Sequence, residues 1–131
     1  MIVRAATAGL LVLAMAGAAA AASPVGRWVA VEIGGVPVAL GVETTLDLDL
    51  EGNGSGKGGC NRYGGRATVG DGTIGFGMMQ ATQRACQPPA GDQEGRFHRA
   101  LTRATGWQVD GDRLVLTDAG GKPLARFLRT R

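Results

Sequence analysis

The chain has 131 residues and a net charge of +3, with 23 glycines, two cysteines and one histidine. That length holds one domain with a real but modest core. The charge is too weak to argue for nucleic acid, and the glycines follow no triplet period, which excludes a collagen-like rod.

The first 22 residues read as an address. Met1-Ile2-Val3-Arg4 supplies a positive start, Ala5 to Met15 an apolar run too short to span a bilayer, and Ala20-Ala21-Ala22 an A-x-A cleavage signal. The expected mature chain is Ser23–Arg131, with 13 basic residues against 11 acidic. No cysteine lies near the cut to carry a lipid. The expectation is therefore a periplasmic or secreted protein with no membrane span after cleavage. Two cysteines, Cys60 and Cys86, in such a chain read first as a disulfide, ahead of two free buried thiols and then of two metal ligands.

Short strand-like runs follow, punctuated by glycine, as in a barrel or sandwich. Arg27–Ile33 alternates and is β-branched. Gly34-Gly35 turns the chain into Val36-Pro37-Val38, which Pro37 assigns to an edge. In Thr44–Glu51, Leu46, Leu48 and Leu50 are expected on one face, with Asp47 and Asp49 on the other. Gly52-Asn53-Gly54 reads as a hairpin turn. Arg66–Val69 and Thr73–Phe76 flank Gly70-Asp71-Gly72, and Trp107–Val109 and Arg113–Thr117 flank Asp110-Gly111-Asp112. A last strand is expected over Pro123–Leu128.

Between these hairpins the period changes. Phe97, Ala100, Leu101 and Ala104 recur at helical spacing, which predicts one amphipathic helix over about Asp92–Thr105. Asp92 and Glu94 near its start and Arg103 near its end suit the helix dipole, and Gly106 is a fitting stop. The fold class is α+β and mostly β, with Trp28, Phe76, Phe97, Trp107 and Phe127 as expected core.

The candidate sites are few. Gly54-Ser55-Gly56-Lys57-Gly58-Gly59 satisfies G-x-G-x-x-G, but a strand follows where dinucleotide binding needs a helix, so it reads as a glycine-rich hairpin. His98 reads as a surface residue paired with Glu94 four positions earlier, and a zinc site of Cys60, Cys86 and His98 matches no familiar spacing. Asp47 and Asp49, roughly 7 Å apart on a strand, have a spacing that suits a glycosidase pair but read as solubilising groups. Arg96, Arg99 and Arg103 line one helical face, solvated or facing an anion. Asn61 sits at a sharp bend, where its amide is expected to satisfy neighbouring backbone groups.

Gly26-Arg27-Trp28, Gly59-Cys60-Asn61-Arg62-Tyr63-Gly64-Gly65, Thr82 to Cys86, Phe97 with Leu101, Leu114-Val115-Leu116 and Phe127 together resemble the META domain family, which includes HslJ-like heat-shock proteins. The resemblance makes Gly59, Asn61, Tyr63 and Thr82 structural motif residues beside the two cysteines. Two departures are Arg84, where the family usually has Met, and the missing lipid-carrying cysteine. The resemblance implies a compact antiparallel barrel-like fold with one helix, and links to heat shock, novobiocin resistance and, in some members, secretion or motility. It brings no catalytic residues, no metal and no cofactor. The expected protein is a non-enzymatic, monomeric periplasmic domain in envelope stress tolerance, in contact with a protein or a small apolar ligand. An enzyme inhibitor or lipid carrier is the alternative, and a metal-dependent hydrolase stands behind both.

Overall fold

A computed structural model describes residues 2–12 and 22–130. Residues 2–12 form no helix or strand, and Ile2, Val3, Leu10, Leu11 and Val12 are exposed. The end of the expected apolar leader and most of its cleavage signal, residues 13–21, lie outside the described residues.

Ten strands and one helix follow: β1 (Gly26–Ile33), β2 (Val36–Pro37), β3 (Thr45–Leu48), β4 (Asn53–Lys57), β5 (Arg62–Val69), β6 (Ile74–Phe76), β7 (Gln80–Ala81), α1 (Ala90–Arg103), β8 (Gly106–Asp110), β9 (Arg113–Thr117) and β10 (Pro123–Arg129). The antiparallel order is β6-β5-β4-β3-β1-β10-β9-β8, with β2 on β1 and β7 on β5. The sheet curls until its ends meet. A bridge joins Thr73 to Gly106, Ile74 N–H donates to the Thr105 carbonyl (3.1 Å) and Trp107 N–H to that of Gly72 (3.2 Å). Near-closure hides the strand edges that an open sheet would expose. The fold is the mostly β, barrel-like architecture with one helix that the sequence pattern and the resemblance together led one to expect.

Inward-facing side chains fill the interior. Trp28, Ile33, Leu46, Leu114, Leu116 and Phe127 come from the strands, and Phe97 and Leu101 from α1, all buried. Phe97 packs its ring edge-on against Tyr63 and Phe127, at centroid distances of 5.3 and 6.4 Å. Phe76 and Trp107 are only half-buried and pack on the rim of this core. At the N-terminal edge, Trp28 Nε1 donates to the carbonyl of buried Pro24 (2.8 Å), so the folded unit begins within two residues of Ser23.

Three expectations need correction. The strand Thr44–Glu51 stops at Leu48, and Leu50 is 86% exposed rather than inward. Asp49 ends it: its Oδ1 accepts from the N–H groups of Glu51 and Asn53 and folds the chain into the turn. The Asp47/Asp49 pair therefore dissolves. Asp47 stays on β3 opposite Arg27, while Asp49 belongs to the turn. The helix runs from Ala90 to Arg103, and Ala104 ends it by turning extended (ψ 127°), its N–H held by the Ala100 and Leu101 carbonyls. Gly106 does not stop the helix. It lies on the barrel seam, where a Cβ would fall 2.6 Å from Thr117 Oγ1.

Phe97→Ala should therefore cost about 3–5 kcal/mol of stability by chemical denaturation, whereas Leu50→Ser should stay within about 0.5 kcal/mol of the unchanged protein. A large loss at Leu50 would restore it to the core.

Candidate functional site

The motif residues converge where the β4–β5 connection meets the start of α1. Gly58 and Gly59 permit the approach. A Cβ on Gly58 would lie 2.7 Å from Glu94 Oε1, and one on Gly59, at φ +149°, 2.9 Å from the Ala90 carbonyl. With both side chains missing, the Glu94 carboxylate reaches the turn. Its Oε1 accepts from the N–H groups of Cys60 (3.1 Å) and Asn61 (2.6 Å), and its Oε2 from Asn61 Nδ2 (2.8 Å).

Asn61 is buried, and both ends of its amide are used. Oδ1 accepts from Arg84 N–H (2.8 Å) and Thr82 Oγ1 (3.0 Å), and Nδ2 also approaches the Arg84 carbonyl (3.3 Å). Thr82 Oγ1 accepts in turn from Arg62 N–H (3.2 Å). The expectation that Asn61 serves neighbouring backbone groups is corrected: its partners lie 21 to 33 residues away. A short polar side chain here stitches three segments together, namely the turn, the 82–86 segment and the helix.

Covalent chemistry closes the same spot. Cys60 and Cys86 form a disulfide, with Cα atoms 6.1 Å apart. Each sulfur is spent on the other, so no thiolate remains for a metal, and the zinc alternative with His98 falls. Tyr63 completes the group. Its hydroxyl donates to the Thr45 carbonyl (2.6 Å), and burial, reinforced by the charge of Asp47, pushes its pKa far above the ordinary phenol value. His98 is not a plain surface residue, because its ring stands edge-on to Tyr63 at 5.6 Å.

Burial works against the charge on Glu94. The Asn61 amide, the Asn61 and Cys60 N–H groups and the nearby His98 outweigh it, and hold the carboxyl below its ordinary value of 4.5. The arrangement is a satisfied polar clamp: charged acceptor, three donors and a disulfide.

The META domain model matches residues 21–131, which include every strand, the helix and this clamp. The chain belongs to the META domain family. A solved NMR structure of a protein from Burkholderia xenovorans is 30% identical, with a TM-score of 0.62 over 86% of this chain and 93% of its own. A second NMR structure, 18% identical with a TM-score of 0.63 over 79% of this chain and 88% of its own, shares the fold. No curated protein matches.

Two residues that hold the META fold here carry no motif signature. Glu94 is one. The other is Gln93, fully buried, whose Oε1 accepts from Ala39 N–H (2.9 Å) while Nε2 donates to Thr44 Oγ1 (2.9 Å) and the Val42 carbonyl (3.2 Å). Thr44, also fully buried, donates to the Gly58 carbonyl (2.7 Å), which links this second network to the clamp. Gln93 falls four residues before Phe97, so the helical period already marks an inward position. Thr44 shares the strand parity of Leu46 and Leu48. Glu94 leaves no such mark, since its partners are 33 and 34 residues distant.

Glu94→Gln would set an amide NH₂ against Asn61 Nδ2 and remove the charge. A loss of about 1.5–3 kcal/mol is expected near neutral pH. Because the folded pKa is depressed, the contribution of Glu94 is complete above its unfolded value and disappears as pH falls through the folded one. Between about pH 6 and about pH 3 the stability of the unchanged protein should therefore fall more steeply than that of Glu94→Gln. Parallel curves would mean that Glu94 is not ionised in the clamp. Reduction of Cys60–Cys86, which closes 26 positions, should cost about 3–4 kcal/mol in the loop-entropy view.

Proposed function

We propose that this META domain is an exported, non-enzymatic module that acts in envelope stress tolerance by contact, not by turnover. One observation carries the reading. Cys60, Asn61, Tyr63, Thr82 and Cys86, residues that bear the family pattern, direct their bonding capacity at one another and at the fold, and Gly59 leaves the room for the approach. A motif spent on holding shape, and tied by a disulfide that persists in oxidising compartments, suits a rigid exported surface.

The interior is occupied by Trp28, Phe97, Phe127 and their neighbours, so contact in this reading falls on the outside. The recess between α1 and the 77–81 segment suits an apolar group from a partner protein or a small ligand. It holds about 380 Å³ and its lining includes Phe76, Met79, Leu101 and the exposed Met78. Methionine is the side chain that adapts most readily to varied apolar partners. No helix among the described residues is long and apolar enough to cross a membrane.

Export is tested by fusing alkaline phosphatase after Arg131 and weighing the released META domain. An active fusion and a mature chain beginning near Ser23, without alkylatable thiols, are expected. An inactive fusion, or a full-length chain with two free thiols, overturns the reading.

A further inference from the structure

On another flank of α1, three arginines share one recess. Arg96, Arg99 and Arg103 line a cavity of about 200 Å³ together with Gly34, Ala100 and Leu124. No carboxylate contributes to its wall. The ion pairs among the described residues, Arg27 with Asp47 and Arg126 with Glu32, involve none of the three. Like charges on successive turns repel one another, so an uncompensated row is a cost in the absence of a counter-charge.

In a merely solvated row all three arginines would stand in water. Arg99 and Arg103 do stand exposed, but Arg96 does not. Its stem lies against the β1–β2 turn, close enough that a Cβ on Gly34 would touch Arg96 Cδ at 3.8 Å. Its Nε is buried and has no acceptor among the described residues. A charged donor withdrawn from water without an acceptor is uncommon in folded proteins, and here it belongs to a side chain that lines the recess with Arg99 and Arg103. Arg103 also complements the C-terminal end of the helix dipole, which accounts for one of the three charges and not for the row.

We infer that this recess is an anion site that takes a phosphate group through Arg96, Arg99 and Arg103. Guanidinium forks match phosphate oxygens in pairs. The floor of Ala100 and Leu124 lowers the local polarity, and the missing Gly34 side chain leaves room for the group to approach. The chemistry is common to a free phosphomonoester and to the headgroup of an anionic lipid. The site stands apart from the Asn61–Glu94 clamp and does not depend on export.

The Nε–H resonance of Arg96 reports on the site directly. The protein, purified after expression of the full chain, is titrated with inorganic phosphate and with glycerol 3-phosphate against sodium chloride of equal ionic strength. It is also sedimented with vesicles of phosphatidylglycerol and of phosphatidylcholine. A saturable shift with the phosphates and not with chloride is expected, weakened at least tenfold in an Arg99→Gln, Arg103→Gln double variant. The exposed Arg99→Gln single variant preserves the comparison if the double variant is less stable. Binding to phosphatidylglycerol vesicles alone, lost in the same variants, assigns the site to a lipid headgroup. A shift with soluble phosphates assigns it to free anions. A resonance that phosphate leaves unmoved, with vesicle binding equal in variant and unchanged protein, overturns the inference, as does a shift that chloride reproduces.

Discussion

The hydrogen bonds between Glu94 and the Cys60-Asn61 turn are the constraint on which the rest of the molecule depends. A barrel of short strands has few local reasons to close, because its pairings join distant parts of the chain. Here one carboxylate on the helix binds the turn that starts β5. One amide in that turn binds the segment that leads back to the helix. The disulfide then makes the contact permanent in an oxidising medium. Without Glu94, two backbone N–H groups and a buried amide would lose their acceptor, and an unsatisfied buried donor costs more than a satisfied one contributes.

Polar groups inside the fold are few but arranged in series. Gln93 holds the 39–44 loop, Thr44 joins that loop to Gly58, and Gly58 adjoins the clamp. The helix is thus fixed by neighbouring residues, Gln93 and Glu94, pointing to two different parts of the barrel. Phe97 and Leu101 complete the seating with apolar burial. The opposite flank is left to the arginines. One element therefore binds the fold on one side and presents charge on the other, and this division leaves α1 free to serve as a contact surface without loosening the core.

Much of the fold could be read in the residues because its signals are local. The alternation in Arg27–Ile33, the Gly70-Asp71-Gly72 and Asp110-Gly111-Asp112 turns and the helical spacing from Phe97 to Ala104 each lie within a few residues, and each element formed. Local pattern misleads where a side chain answers a distant partner or a competing local bond. Leu50 kept the strand's parity, but Asp49 captured the backbone first. Gly106 looked like a helix stop because nothing nearby discloses that β6 arrives beside it. The two-residue β7, paired with Tyr63 and Gly64, has no pattern long enough to notice. In the clamp, the cysteines and Asn61 are conspicuous, whereas Glu94 is not, since the helix dipole and a pairing with His98 already explain an acidic residue there.

A double-mutant cycle between Asn61 and Glu94 tests the clamp most directly. Asn61→Ala, Glu94→Ala and the double variant would be unfolded with denaturant, with the disulfide intact in all. A shared contact predicts a coupling energy above about 1 kcal/mol, the double variant losing clearly less than the two single losses combined. Losses that add within about 0.5 kcal/mol would show that the two side chains act independently and that the barrel is closed by something else.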